Sequence, residues 1–207
     1  MFFYDIPNLL VILIVVLVSF RMGLIPLWLV FFLSLSAFIP FILNDVLFPA
    51  SYMPDQFKYF GKVQSLRYLD TDFGANPKIW LSTWMLAFIP LPYVETINSL
   101  GFFSRFLATV TVIWLYSFKK LRGWPLLFIL FYPSFLLYSS LALRDTLIFT
   151  VMILSVILFL ENRRLFSLLV ALPLAIIKTQ NFFLMIVFYV VHLYFSSGSL
   201  FYRYRHL

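Results

Sequence analysis

Long apolar runs separated by short polar breaks dominate the chain. The runs predicted to form helices are Ile6–Phe20, Leu24–Leu43, Ile79–Ile89, Gly101–Phe118, Trp124–Ser140, Leu141–Leu160, Leu165–Ile177 and Phe182–Phe195. Several approach the length of about 20 apolar residues that a helix needs to cross the hydrocarbon core of a bilayer. The pattern therefore predicts an all-α, polytopic transmembrane helical bundle with about seven spanning helices, and a single membrane domain over residues 1–207.

Two segments interrupt this series of spanning helices. Residues 44–78 form the one long polar stretch, which we predict to be an external loop with a function of its own. Ile79–Ile89 is too short to span, and Pro90 and Pro92 follow it, so residues 79–98 are predicted to form a juxtamembrane or re-entrant segment. In the alternative topology residues 79–98 cross fully and the loop is cytoplasmic, which the distribution of Lys and Arg favours.

Composition and charge narrow the class of protein. Of the 207 residues, 63% are hydrophobic and 21% aromatic, whereas soluble domains are about 45–50% apolar. The net charge of +7 comes from basic residues that cluster at the ends of apolar runs, which indicates topology signals and lipid headgroup contacts rather than nucleic acid. The chain has no cysteine, which excludes disulfides, thiolate chemistry and Cys-ligated metals.

A charged pair stands out within the apolar sequence. Arg144 and Asp145 carry the only charges between Gly123 and Leu160, and charges in such a position are costly in lipid and mark candidate functional sites. Two structural explanations compete with a functional one. The pair could position helices without taking part in chemistry, or Asp145 could cap the start of a helix, where its charge suits the dipole.

Several short elements, in this order and spacing, resemble those of the GT-C superfamily of polytopic glycosyltransferases and of O-antigen and capsule repeat polymerases. The resemblance covers roughly residues 45–181. It rests on Asp55-Gln56-Phe57-Lys58-Tyr59, on Asn76-Pro77-Lys78 with the short helix after it, on Arg105, on Tyr132-Pro133-Ser134, and on Ser139-Ser140-Leu141-Ala142-Leu143-Arg144-Asp145.

The resemblance implies an enzyme that transfers or polymerises sugars from a polyprenyl-phosphate-linked donor. Asp55 is the candidate base that accepts the proton of the acceptor hydroxyl. Asp45 and Asp72 are the alternative acids. The candidate substrate-binding residues are Arg105, Arg144 and Lys178 for the phosphate, with Asp145, Tyr59 and Lys78 beside them.

Each of the main candidates also has a purely structural interpretation. Asp55 could be a solvated acid paired with Lys58, and Arg105 and Lys178 could extend to lipid headgroups. We predict no metal site, although loop carboxylates could hold Mg²⁺ or Mn²⁺ together with the donor phosphate. The first apolar run is expected to be a retained helix rather than a cleaved signal.

The implied partners are a lipid-linked sugar donor, a glycan or lipid acceptor, and the lipids of a bacterial inner (plasma) membrane, with no nucleic acid. Two other functions stay open. The protein could carry or flip lipid-linked oligosaccharides without bond chemistry, or it could be a non-catalytic membrane subunit bound to a larger protein. The chain is shorter than enzymes of this family and has Pro77 where they carry a proline pair.

Overall fold

The computed structural model describes residues 2–44, 46–49, 53–69 and 76–196. A short 3₁₀ helix at Phe2–Asp5 precedes the α-helices, which are α1 (Ile6–Arg21), α2 (Leu27–Ser36), α3 (Ile39–Leu43), α4 (Asp55–Arg67), α5 (Pro77–Ala87), α6 (Ile97–Ser117), α7 (Trp124–Phe131), α8 (Pro133–Tyr138), α9 (Asp145–Leu160), α10 (Arg164–Ile177) and α11 (Thr179–Ser196). These described ranges contain no β-strand, so the prediction of an all-α fold is confirmed.

Contacts divide the chain into two compact units, Met1–Thr150 and Val151–Leu207, where the sequence predicts a single membrane domain. In the first unit α1 packs against α2 and α6, α3 packs against α6, and α4 packs against α5 and α6. One apolar cluster forms part of its core, and the members are Val16, Ile25, Leu29, Val30, Leu33, Val112, Ile113, Leu126 and Leu130. Helix α6 is therefore the element against which most of this unit is built.

Residues 44–78 differ from the predicted loop, because the described part of this stretch contains the 13-residue helix α4. The helix buries Gln56, Tyr59 and Val63, which are spaced by three and four residues and so share one helix face. That face packs against α5 and α6. The loop prediction was wrong here because the polar composition of the stretch concealed a narrow buried stripe.

Prolines divide two of the predicted helices. Leu24–Leu43 is split into α2 and α3, and Pro40 lies in the first turn of α3. Trp124–Ser140 is split into α7 and α8 at Tyr132, whose ψ of 114° is extended. Pro133 has no N–H to donate and disfavours a helical conformation in the residue before it, so it breaks the helix instead of kinking it.

Two helices are long and apolar enough to cross a membrane in the part of the chain that the structure describes, Phe3–Arg21 and Ile97–Ser117. The prediction of about seven spanning helices is not confirmed, because the next longest apolar segments have 10–17 residues, namely Leu27–Leu43, Asp145–Leu160, Arg164–Ile177 and Thr179–Phe195. Ile97–Ser117 is mostly buried within the protein, whereas Phe3–Arg21 is mostly exposed. The breaks at prolines and polar turns account for the shorter helices.

A cluster of hydroxyl groups holds the second unit together. Ser155 of α9, Ser167 of α10 and Tyr189 of α11 are all buried. The Ser167 Oγ atom donates to the backbone oxygen of Ser155 at 2.7 Å and lies 2.7 Å from the Tyr189 hydroxyl. Phe159 stacks on the Tyr189 ring at a centroid distance of 4.2 Å. These polar contacts between apolar helices fix their relative rotation, which apolar packing alone specifies weakly.

Candidate functional site

Asp55 is the first residue of α4, and its side chain is exposed. Its Oδ1 atom accepts a hydrogen bond from Lys58 Nζ at 2.9 Å, one helical turn later. The structural interpretation of Asp55, an exposed acid paired with Lys58, is therefore confirmed. A pair with both side chains about 65% exposed is screened by water and contributes little to stability, so the carboxylate can exchange this partner for another.

Arg144 lies against the face of Tyr59, with 5.9 Å between the guanidinium carbon and the ring centroid. Tyr59 is buried one turn after Asp55 on α4. Burial raises the pKa of the Tyr59 phenol, the charge of Arg144 opposes that rise, and the charges of Asp55 and Asp145 reinforce it. These four predicted residues therefore interact electrostatically, although they come from two helices that are far apart in the chain. They lie at the N-terminal ends of α4 and α9.

Arg105 does not present its charge to an open site. The side chain is 2% exposed on α6. Its Nε atom donates to Ser140 Oγ at 3.1 Å, and its Nη2 atom donates to the backbone oxygen of Leu136 at 3.0 Å and to Ser140 Oγ. The guanidinium therefore holds the end of α8 against α6. A phosphate could reach it only after these bonds were broken.

The turn that precedes Arg144 is buried although it is not helical. Its backbone groups are satisfied by side chains of two helices: the Ala142 N–H donates to Gln56 Oε1 at 3.0 Å, and Ser104 Oγ donates to the Leu143 oxygen at 3.1 Å. Buried irregular backbone requires such partners. Helices α4 and α6 thereby set the position from which Arg144 and Asp145 begin α9.

A buried amide cluster continues this network. Gln56 Nε2 donates to Asn44 Oδ1 at 3.3 Å, and Asn44 Nδ2 donates to Asn98 Oδ1 at 2.9 Å. The cluster links the end of α3, the start of α4 and the start of α6 next to the turn. Sequence reasoning missed it, because a single amide beside a charged residue carries no distinctive spacing. The only signal was the position of Gln56 directly after Asp55.

A cavity of about 350 Å³ adjoins the start of α9. Five aromatic rings from α7, α8, α9 and the break between α7 and α8 line it together with Asp145. Ser134, Ser139 and Thr146 also border it, and the surface of the lining is almost wholly apolar. The sequence did not predict this cavity, because it forms only after Pro133 has ended α7 and α8 has packed beside α9.

The two predicted lysines lie elsewhere. Lys78 is exposed in the first turn of α5, where its backbone N–H donates to the Asn76 side chain at 3.1 Å. Lys178 is partly buried between α10 and α11 in the second unit. The alternative acids Asp45 and Asp72 lie outside the described residues. Within the described ranges, groups of His, Asp and Glu suited to hold a metal ion are absent.

Arg67 is a partly buried cation whose role sequence reasoning missed. Its guanidinium, at the end of α4, donates to the backbone oxygen of Ala87 at 3.2 Å and to those of Ile89 and Leu91. The same group lies 4.5 Å from the centre of the Phe103 ring. Burial lowers the pKa of Arg67. The side chain satisfies the carbonyl groups around the end of α5, which fixes the α4–α5 pair against α6.

Asp5 is a second missed charge. It is 1% exposed and accepts hydrogen bonds from Thr96 Oγ1 at 2.7 Å and Ser99 Oγ at 2.5 Å. Thr96 and Ser99 also form a capping box at the start of α6. A carboxylate at a helix N-terminus is favoured by the dipole, so Asp5 anchors the start of the chain to α6 and has a structural role.

Comparison with known proteins finds no family model, no curated protein and no solved structure that matches this chain.

Proposed function

We propose that this protein is a multi-pass protein of the bacterial inner membrane that transfers or polymerises sugars from a polyprenyl-phosphate-linked donor. The observation that carries the proposal is the grouping of an exposed carboxylate, Asp55, with the cation Arg144 around Tyr59. Glycosyl transfer from a lipid phosphate needs a base and a cation close together, because the acceptor loses a proton while the phosphate leaves with its charge.

The reaction assigns a separate task to each group. The acceptor hydroxyl oxygen attacks the anomeric carbon of the donor sugar, and the bond from that carbon to the phosphate oxygen breaks. The hydroxyl proton passes to the Asp55 carboxylate. The electron pair of the broken bond leaves with the polyprenyl phosphate, whose negative charge the guanidinium of Arg144 stabilises through planar, paired donors.

The other predicted residues take supporting roles in this proposal. Arg105 is a positioning residue, because its donors hold Ser140 and Leu136 in the segment that leads to Arg144. Tyr59 provides the surface on which Arg144 rests. Lys78 and Lys178 are candidates for contacts with the charged or sugar portions of the lipid-linked substrate.

Membrane location is supported by the exposed apolar surface as well as by the two long helices. In the second unit many large apolar side chains are at least 60% exposed, among them Leu165, Phe166, Phe183, Leu184, Val190 and Phe195. Soluble monomeric proteins rarely expose continuous apolar surface of this kind. Lipid is the solvent in which it is stable, and α10 and α11 could reach across part of a bilayer.

The test measures sugar transfer to an acceptor by the purified full-length protein in proteoliposomes. The donors are polyprenyl-phosphate-linked glucose, mannose and N-acetylglucosamine, and the readout is release of polyprenyl phosphate. We expect Asp55→Asn to lower kcat by a factor of about 10²–10⁴, which is the typical contribution of a general base. The matched control is Glu161→Gln, which neutralises an exposed carboxylate at the end of α9 and should retain full turnover. Full turnover by Asp55→Asn would remove Asp55 from the role.

Movement of a lipid-linked oligosaccharide without bond chemistry is the second candidate. The Lys58–Asp55 salt bridge favours it, because the carboxylate already accepts a hydrogen bond from Lys58 where the transfer reaction needs it to accept from a hydroxyl. This function predicts that Asp55→Asn leaves lipid translocation intact, whereas Arg144→Gln abolishes it. Measuring both sugar transfer to an acceptor and lipid translocation in the same vesicles separates the two candidates.

A further inference from the structure

We propose that one end of the first unit binds the headgroups of anionic phospholipids. Exposed cations lie there in two turns that are far apart in the chain, one after α1 and the other after α6. The cations that form this basic end are Arg21, Lys119, Lys120 and Arg122. The proposal rests on the membrane location proposed above but not on the chemistry assigned to Asp55.

Helices α1 and α6 begin side by side. Asn8 Nδ2 donates to the Tyr93 oxygen at 2.9 Å, and the Tyr93 N–H donates to Asn8 Oδ1 at 3.2 Å. Just before α1, Asp5 accepts hydrogen bonds from Thr96 and Ser99, which cap the start of α6. These contacts place the first turns of the two helices at the same end of the unit.

The same two helices also end side by side. Val16 of α1 and Val112 of α6 belong to one buried apolar cluster. Leu24, in the turn after α1, and Leu121, in the turn after α6, both pack against that cluster. Helices α1 and α6 are therefore parallel, and their C-terminal ends bring Arg21 to the same end of the unit as the three cations that follow α6.

The side-chain charge at the basic end is of one sign. The turns that form it, residues 20–28 and 116–125, contain no Asp or Glu, whereas at the start of α4, near the other end of α6, Lys58 is paired with Asp55. The C-terminal ends of α1 and α6 each carry about half an elementary negative charge, which offsets only part of the charge of the cations. The remaining positive charge attracts an anionic surface, and each Lys or Arg near such a surface strengthens binding roughly five-fold.

Apolar side chains beside these cations favour a lipid over a nucleic acid or an acidic protein. Trp28 and Trp124 lie in the first turns of α2 and α7, directly after the two basic turns, and are 44% and 84% exposed. Met22 and Phe118 are also exposed. Trp rings are enriched where a membrane meets water. Acyl chains below the headgroups would cover these side chains, whereas a nucleic acid would leave them in water.

The basic end lies at the opposite end of α6 from the candidate site. Asn98, at the start of α6, contacts the amide cluster beside α4, whereas Lys119 follows the end of the helix. The helix from Asn98 to Ser117 extends about 28 Å, which is close to the hydrocarbon thickness of a bilayer, about 30 Å. The anionic phospholipids therefore belong to the leaflet opposite the one that faces Asp55 and Arg144.

The test measures binding of dioleoyl phosphatidylglycerol and dioleoyl phosphatidylcholine, which have the same acyl chains, to the full-length protein in detergent by native mass spectrometry. We expect the anionic lipid to bind at least about three-fold more tightly. The double variant Lys119→Asn/Arg122→Gln should lower this preference at least about two-fold, and Arg21→Gln alone should also weaken it. Asparagine suits position 119 because Lys119 has a φ of 59°, which asparagine tolerates. Equal affinity of the unmodified protein for the two lipids would overturn the proposal and would leave another polyanion, or none, as the partner of the basic end.

Two controls separate lost charge from lost structure and from charge elsewhere. Lys58→Gln/Lys62→Gln removes the same number of cations from α4, near the other end of α6, and should keep the preference for phosphatidylglycerol. Arg21→Lys and Arg122→Lys conserve the charge and should keep it as well. A preference that is lost in the α4 variant but kept in Lys119→Asn/Arg122→Gln would contradict binding at the basic end.

The lipid measurement and the sugar-transfer assay can fail independently, because no step of lipid binding uses Asp55. A preference for phosphatidylglycerol without sugar transfer would reject the proposed reaction and support the basic end as a lipid site. Sugar transfer without that preference would support the reaction and reject the lipid site.

Discussion

The Nε atom of Arg105 lies 3.1 Å from the Ser140 hydroxyl oxygen, and this contact joins the middle of α6 to the turn before α9. Both side chains are at most 2% exposed. The same guanidinium reaches the Leu136 oxygen at 3.0 Å. The donors of one buried cation thereby find their acceptors in this segment, and the contact connects α6 to the position of Arg144.

Removing the guanidinium of Arg105 should lower the stability of the protein. We expect Arg105→Met to lower the free energy of unfolding by about 1–3 kcal/mol, because the buried Ser140 hydroxyl loses its donor. A double-mutant cycle with Ser140→Ala should give a coupling energy of about 0.5–3 kcal/mol. Thermal unfolding in detergent measures both. The exposed Arg163→Met is the control, and a coupling near zero would show that the contact is not formed.

Gly101 and Gly61 form a natural pair for a second test. A Cβ atom at Gly101 would lie 2.6 Å from the backbone oxygen of Ser140, whereas nothing lies within 4 Å of one at Gly61. Both glycines are helical, on α6 and α4. Gly61→Ala should therefore stabilise the protein by about 0.5–1 kcal/mol through the higher helix propensity of alanine. Gly101→Ala should destabilise it, and the opposite order would contradict the close approach of α6 to the turn.

Arg67 should not be replaceable by lysine. The guanidinium serves three carbonyl groups and the Phe103 ring at once, and a lysine ammonium cannot reproduce that planar geometry. We expect Arg67→Lys to lower the free energy of unfolding by about 1–3 kcal/mol, which is the cost of leaving buried acceptors unpaired. The control is Lys62→Arg, a charge-conserving change on the same helix. Similar melting temperatures for the two variants would argue against the carbonyl contacts.

The buried phenol of Tyr59 predicts a dependence of stability on alkaline pH. Burial raises the pKa of this group above its usual value of 10.0. Its contribution to stability is therefore fully present below pH 10 and is lost as the pH rises through the higher folded value. Tyr59→Phe should show a shallower loss of stability above pH 10 than the unmodified protein. Spectrophotometric titration of the two proteins should show a difference in phenolate absorbance that develops late in the titration.

Local patterns predicted much of the helical structure. The first apolar run, Ile6–Phe20, became α1 with one more residue, and Leu165–Ile177 became α10 with one more residue at its start. The failures have a common cause. The α4 segment was taken for a loop because its buried stripe has only three members and includes the polar Gln56. The stripe is buried only by its packing against α5 and α6.

Within the candidate site, too, local sequence patterns predict the contacts of a charged residue only when its partner is close in the chain. The predicted pairing of Asp55 with Lys58 is present because the two residues are one helical turn apart, and such pairs can be predicted from spacing. The partner of Arg105 is Ser140, 35 positions later. No local rule specifies that contact, so the sequence predicted headgroups or a phosphate for a cation that the fold satisfies internally.

By itself the sequence determined that the described chain is helical and which charges stand in apolar surroundings. It also gave the approximate positions of six helices, which are α1, α5, α6, α9, α10 and α11. Those features depend on periodicity, proline and capping, which act over a few residues. Tertiary structure decided that Arg105, Arg67 and Asp5 hold the fold together, that Arg144 rests on Tyr59, and that Asp145 lies beside a ring-lined cavity. Desolvation and packing between distant segments set these outcomes, and no short stretch of sequence contains both partners.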